Sequence, residues 1–186
     1  MEKILRDRRV YELLEEVDRD LAVKAQGVGC EHCGGVLHRG DYPRKPRGGP
    51  AWEKRHSFCC SREGCRKRKT PPSVRFLGRK VYVGIVVVLV SAMMNGLSEG
   101  RVKRLWQELK IDRRTLQHWR EWWIRTFVRS DFWRAERARF RHPIVEERLA
   151  LGLVEAFGAQ QSKGLLNLMR FLSPITTSSC KGVVAM

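Results

Sequence analysis

Acidic residues are scarce in this chain: 20 Asp and Glu stand against 37 Lys and Arg, for a net charge of +17. The deficit is local. Residues 1–29 are nearly balanced, whereas 30–80 carry a net +10 and 81–130 a net +5. A concentrated positive field of this kind argues against a surface of mixed sign and marks a polyanion binder, for which nucleic acid is the usual ligand. Long apolar runs are also missing. The longest, "VYVGIVVVLVSAMM" from Val81 to Met94, has 14 residues and a glycine within it. A membrane-spanning helix needs about 20, so this run reads as a buried core helix and no membrane partner is expected. No signal peptide is visible at the charged N-terminus, which leads us to expect a cytoplasmic, reducing setting. No internal repeat appears. A zinc-supported nuclease of the ββα type needs a His–Asn–His set. His38, His56 and Asp41 are present, but no suitable Asn lies between them, and no enzymatic activity is expected.

Cysteine is what the chain does have, six in all. "CEHCGG" places Cys30 and Cys33 at the C-x2-C spacing whose thiolates converge on one tetrahedral ion, with glycines behind them for the tight backbone. "HSFCCSREGC" supplies a second pair after two candidate strands, "VLHRGDY" and "EKRHSFC", and the basic loop "PRKPRGGPA" between them. This layout predicts a zinc ribbon holding one structural Zn2+. Side chains alternate along a strand, so Phe58 and Cys60 share a face and Cys59 takes the other. Alternation therefore favours Cys60 over Cys59 as third ligand, with Cys65 as the fourth after an unusually long x4 knuckle that Gly64 helps to turn. His32 and His56 are spare ligands beside four available thiolates. "SVRFLG" is a candidate third strand.

The remainder reads as helical. Residues 3–26 are amphipathic, with Val10, Leu13, Leu14, Val17 and Leu21 on the apolar side and a charged side expected to face solvent. Ser98 can cap a helix with a stripe of Val102, Leu105, Trp106 and Leu109. After a short turn in which Ile111 can plug the core, Asp112 can cap a second helix with Leu116, Trp119, Trp123 and Phe127 inward. Trp106, Trp119, Trp122 and Trp123 are expected in the core. The pair has the form of a helix-turn-helix, packed on the apolar helix 81–94. Its outward Arg113, Arg114, Gln117 and His118 suit base edges in a major groove. Thr115 and Arg120 suit phosphate, as do Arg44, Lys45 and Arg47 of the ribbon loop and Arg66, Lys67, Arg68 and Lys69 of the "RKRK" run. Ser130 or Asp131 can cap a helix to about Phe140, Pro143 interrupts, and further helices are expected near 145–157 and 162–172. Their apolar Leu165, Leu166, Leu168, Met169, Phe171 and Leu172 can be core or an interface for another protein.

The expected fold is thus α+β, mostly α. It divides into an N-terminal helix (1–29), a four-cysteine ribbon of two or three short antiparallel strands (30–79), a tri-helical helix-turn-helix (80–130), C-terminal helices (131–174) and a tail (175–186). "CEHCGG", "HSFCCSREGC" and "IDRRTLQHWREWW" together make residues 30–127 resemble the N-terminal, DNA-binding part of bacterial insertion-sequence transposases and their small accessory proteins. The x4 knuckle departs from that pattern. The resemblance implies recognition of double-stranded DNA at element ends. The later acidic triad of that family has no counterpart here: Asp131, Glu136, Glu146, Glu147 and Glu155 fall in helical surface patterns. RNA is the alternative nucleic-acid partner, because ribbons and basic runs serve it equally well. A protein-recruiting scaffold is the other alternative.

Overall fold

The computed structural model describes residues 7–44, 54–77, 82, 84–93, 99–100, 103, 106–107 and 111–177. These form an α+β fold, mostly helical, with two small antiparallel sheets. Among the described residues no helix is long and apolar enough to cross a membrane.

The chain opens with α1 (Arg8–Gly27), N-capped by Asp7, whose carboxylate accepts the Arg9 N–H. Its buried residues are Val10, Tyr11, Leu14, Val17, Asp18 and Ala22. Leu13 and Leu21 are only half-buried, so the inward face is rotated from the expected stripe toward Tyr11, Asp18 and Ala22. Asp18 overturns the expectation that the charged residues of α1 simply face water. Its Oδ2 meets the Arg75 Nε at 2.8 Å, both side chains being almost wholly buried.

Five short strands follow: β1 (Leu37–Arg39), β2 (Tyr42–Pro43), β3 (Lys54–Arg55), β4 (Phe58–Cys60) and β5 (Arg68–Lys69). Order β1–β4–β5 makes one antiparallel sheet, with Leu37 opposite Cys60 and Cys59 opposite Arg68. β2 and β3 make a second, two-stranded sheet. Each expected strand of the hairpin is therefore broken in two. The break sits where the Asp41 carboxylate takes the Ser57 N–H at 3.0 Å and removes that donor from the ladder. The expected third strand, "SVRFLG", is not a strand: residues 73–77 are irregular. Their N–H groups go to side chains instead. Val74 N donates to Asp18 Oδ1, while Arg75 N and Phe76 N both donate to Ser73 Oγ. A strand needs those donors free, and β5 supplies the third strand in its place.

α2 (Gly84–Met93) realises the apolar run as a helix buried along its whole length. Val and Ile disfavour helix only slightly. A helix apolar on every side satisfies its own backbone and is stable where packing surrounds it. It packs chiefly on α5 (Leu149–Ala156) and on α3 (Arg113–Glu121). Past α3 the winding widens to a π-helical turn, Trp122–Phe127. That turn relates residues i and i+5. It brings the Trp122 ring within 5.3 Å and the Trp123 ring within 5.0 Å of Phe127, all three buried.

α4 (Asp131–Glu136) is N-capped by Ser130, whose Oγ accepts the Trp133 N–H. It passes into a 3-10 turn at Arg137–Arg139 and so stops short of Phe140. A second 3-10 turn (Glu146–Arg148) leads into α5, and α6 (Ser162–Leu172) follows, ending in a 3-10 turn. Leu165, Leu168, Met169 and Leu172 are buried in the core, which decides between core and interface for those four side chains.

Among the described residues the buried apolar side chains fall into two clusters. The large one gathers α2 to α6 and the first half of α1. The small one holds Ala22, Cys30, Leu37, Phe58 and Cys60, with Cys33 and Cys65 packed against it. One helix therefore serves both cores, and the Gln26 side chain donates to the Leu37 carbonyl to seat its end on the ribbon.

Candidate metal centre and basic helix face

Four thiols converge from two loops. The Sγ atoms of Cys30, Cys33, Cys60 and Cys65 all lie within 4.8 Å of one another, with Cys30–Cys65 at 3.8 Å and Cys33–Cys60 at 3.4 Å. With metal–sulfur bonds of about 2.3 Å, a tetrahedron has sulfur–sulfur edges of about 3.8 Å. Donor type, number and spacing therefore fit one metal ion held by four protein ligands, two buried and two half-buried. Gly35 shows how tight the cradle is. A Cβ there would stand 3.0 Å from Cys60 Sγ and 3.3 Å from Cys33 Sγ.

The two knuckles are closed the same way. In the first, the Cys30 N–H bonds the Gly35 carbonyl, five residues on; in the second, the Cys60 N–H bonds the Lys67 carbonyl, seven residues on. The two additional residues of the second knuckle are absorbed inside its loop. Gly64 takes φ +83° and Arg66 φ +45° there. The long spacing thus leaves the cluster intact without drawing in Cys59. Phe58 and Cys60 face the small core, while Cys59, opposite in the alternation, is half-buried and donates its thiol to the Arg66 carbonyl. His32 is exposed and His56 turns its Nδ1 to Asp41 Oδ2 at 3.3 Å, so neither histidine joins the sulfurs.

Backbone N–H groups aim at the sulfurs. The His32 N–H, with help from Cys33, draws the Cys30 thiol down to about 7. At Cys60 an N–H from Arg62 acts the same way, but burial and the neighbouring thiols outweigh it and push that group up to about 12. Four sulfurs this close ionise together only against a cation.

The second cluster of sequence-predicted residues lies on α3. Asp112 is its N-cap, the carboxylate accepting the Thr115 N–H at 2.6 Å. That bond holds the Asp112 carboxyl below its ordinary value. Leu116 and Trp119 point inward, with the Tyr82 ring edge-on to Trp119 at 5.3 Å, and Ile111 is buried just before the cap. On the other side Arg113, Arg114, Gln117, His118 and Arg120 are all exposed, and Thr115 is half-exposed. Arg113, Arg114 and Arg120 form no ion pair among the described residues.

The expected phosphate contacts have unequal surroundings. Arg66 and Lys67 are exposed on the second knuckle with no ion pair among the described residues. Arg68 is exposed but donates to the Gly40 carbonyl and Ser57 Oγ, and stands over the Tyr42 ring. Lys69 is half-buried, paired with Glu31 at 2.9 Å and bonded to the Gly29 carbonyl. Arg44 lies over the Phe76 ring. Lys45 and Arg47 fall outside the described residues, as do Val102, Leu105 and Leu109 of the preceding helix. Of that segment Glu99, Gly100, Lys103, Trp106 and Gln107 are described and helical. Trp106 is a correction: at 50% exposure it is not a core residue, because it shares the outward side with Lys103 and Gln107.

Sequence reasoning missed Asp18 and Arg75, which pin the ribbon to the helical body. Arg75 also donates to the Lys54 carbonyl, and Ser73 Oγ donates to Asp18. The signal was there: Asp18 lies four residues from both Leu14 and Ala22, on an apolar face. No protein-family model, curated protein or solved structure matches this chain.

Proposed function

We propose that this chain is a zinc-dependent, sequence-specific double-stranded DNA-binding protein, in which four thiolates hold one structural Zn2+ and α3 reads bases. The observation that carries the reading is the outer face of α3. A helix anchored inward by Leu116 and Trp119 presents Arg113, Arg114, Gln117 and His118 in its first two turns, unpaired with acids among the described residues. Arg forms bidentate bonds to guanine and Gln to adenine, and recognition helices use their N-terminal residues for this. α2, from the apolar run expected to be helical, packs against α3 as the third member of a helix-turn-helix would. Zinc is the natural ion for four cysteine thiolates in a closed tetrahedral site. Arg66 and Lys67 are the best placed of the ribbon residues to grip phosphate, and Lys69 the least, since Glu31 already holds it. The proposed role is recognition without catalysis, as an accessory or regulatory factor of a mobile element.

Selection of bound fragments from a random duplex library, with zinc-loaded protein at physiological salt, tests this. A defined motif is expected, and Arg114→Ala should relax one base position at a cost of about 1–3 kcal/mol. Binding without a motif that salt abolishes would reduce the protein to a charged surface. Preferential competition by single-stranded RNA would move the reading to RNA.

A further inference from the structure

A cleft of about 560 Å³ lies on the opposite part of the chain from the ribbon sequence, between residues 139–148 and α5. Its size falls in the range of small-ligand sites. The arch that forms it is preset. Pro143 breaks the helical path, and Ile144 drops onto the bare backbone of α5 at Gly152, where a Cβ would lie 2.4 Å from the Ile144 Cγ2. The 3-10 turn then closes with the Arg148 N–H on the Val145 carbonyl.

The charges around the cleft are sorted. Of the acids nearby, Glu146 pairs with Arg137 and Glu136 with Arg139, while the exposed Glu147 does not line the cleft. Arg141, His142 and Arg148 line the cleft, are exposed, and form no ion pair among the described residues. Glu155 is the one acid lining it. The floor is apolar, from Ile144, Leu151 and Ala156, and Phe140 stands at its edge. The Phe140 ring is held by Trp133, Phe157 and Phe171 at 5.7–5.9 Å, so that wall does not move aside.

A bare anion would use the arginines and leave the apolar floor idle. An acyl chain would need enclosure, whereas Arg141, His142, Arg148, Glu155 and Ala156 of the lining are exposed to solvent. A flat ring carrying a phosphate uses both parts: guanidinium groups bind phosphate oxygens in a fork and stack on planar rings, while the floor covers one ring face. We infer that this cleft binds a nucleoside phosphate, either free or as the phosphorylated end of a nucleic-acid strand. This site is separate from α3 and does not depend on how α3 is read.

The test uses the full, zinc-loaded chain, titrated by calorimetry with adenosine 5′-monophosphate, inorganic phosphate, adenosine, and a short single strand with or without its 5′-phosphate. The nucleotide should bind at least about tenfold more tightly than phosphate or adenosine alone. Arg141→Ala and Arg148→Ala, both at exposed positions, should each weaken it by about tenfold. Ala156→Trp leaves the charge unchanged and fills the floor from an exposed position, and it should abolish binding. Tighter binding of the phosphorylated strand than of the free nucleotide would identify a strand end as the source, and the reverse order a free nucleotide. Phosphate binding as tightly as the nucleotide, or nucleotide binding unchanged in Ala156→Trp, would overturn the inference, since either result means a general basic surface.

Discussion

Cys59 and Cys60 are adjacent in sequence and opposite in fate, which makes them a sharp pair of single-atom tests. Cys60→Ser removes a sulfur that stands 3.4 Å from Cys33 inside the cluster. It should leave less than one zinc per chain and unfold the ribbon, as metal analysis with a thermal melt would show. Cys59→Ser replaces a half-buried thiol bonded to one carbonyl and should keep full zinc. The reverse order would put the third ligand at Cys59. Asp18 is the other decisive residue. Asp18→Leu leaves Arg75 buried without its counter-charge, and should cost about 3–5 kcal/mol in urea unfolding. Adding Arg75→Met should restore part of that. The recovery stays incomplete because Val74 N–H loses its acceptor as well. Asp112 permits a test by pH. Its folded-state value lies below the ordinary 3.8, chiefly through the Thr115 N–H. Its contribution is therefore complete above that ordinary value and fades as pH falls through the lower, folded one. Asp112→Asn still caps the helix. It should match the parent chain near neutral pH and lose part of the acid dependence, read from melts between pH 2 and pH 5.

At the scale of elements, what the sequence made legible follows from how local each signal is. The cap at Asp112, the helix over 162–172 and the cysteine spacing rest on neighbours within a few residues, and the structure shows all of them; of Ser130 and Asp131 it makes Ser130 the cap. Strand alternation was enough to set Cys60 apart from Cys59, because the difference lies in which face each side chain takes. What was not legible depended on distant partners. The irregular run 73–77 looked like a strand because Val, Phe and Leu favour one. Asp18, more than fifty residues away, takes the Val74 N–H and accepts from the Ser73 hydroxyl that takes those of Arg75 and Phe76. The break in the hairpin likewise needs Asp41 to meet Ser57 across the sheet. The π-helical turn follows from three rings competing for one side of a helix, which a helical wheel of constant pitch does not represent. The second knuckle gives a prediction at this scale. Arg66→Ala with Lys67→Ala should weaken binding to all duplexes evenly and flatten the slope of affinity against salt by roughly two phosphate contacts. A changed base preference would instead make the knuckle a reader of sequence.

For the whole molecule, the shared helix matters most. The first half of α1 belongs to the large core and its end to the ribbon, with Asp18 near the junction. Removing metal with a chelator should therefore not unfold the chain evenly. Hydrogen exchange should rise across 30–44 and 54–69 and in α1 from about Ala22 onward, while α2 and the first half of α1 stay protected. Uniform loss of protection would mean that the two cores melt as one unit. The same arrangement limits how the chain can be trimmed. Residue 29 looks like a natural place to divide it, since a helix ends there and a metal module begins. A fragment starting at Cys30 would lose Ala22 and Gln26 from the ribbon and the Asp18 carboxylate that faces the buried Arg75 guanidinium. The complementary piece, ending at residue 29, would hold α1 alone, with its large-core face uncovered and Asp18 parted from Arg75. Neither piece would be a clean reagent, and a shortened version suitable for expression has to begin upstream of Asp7 and run past Arg75.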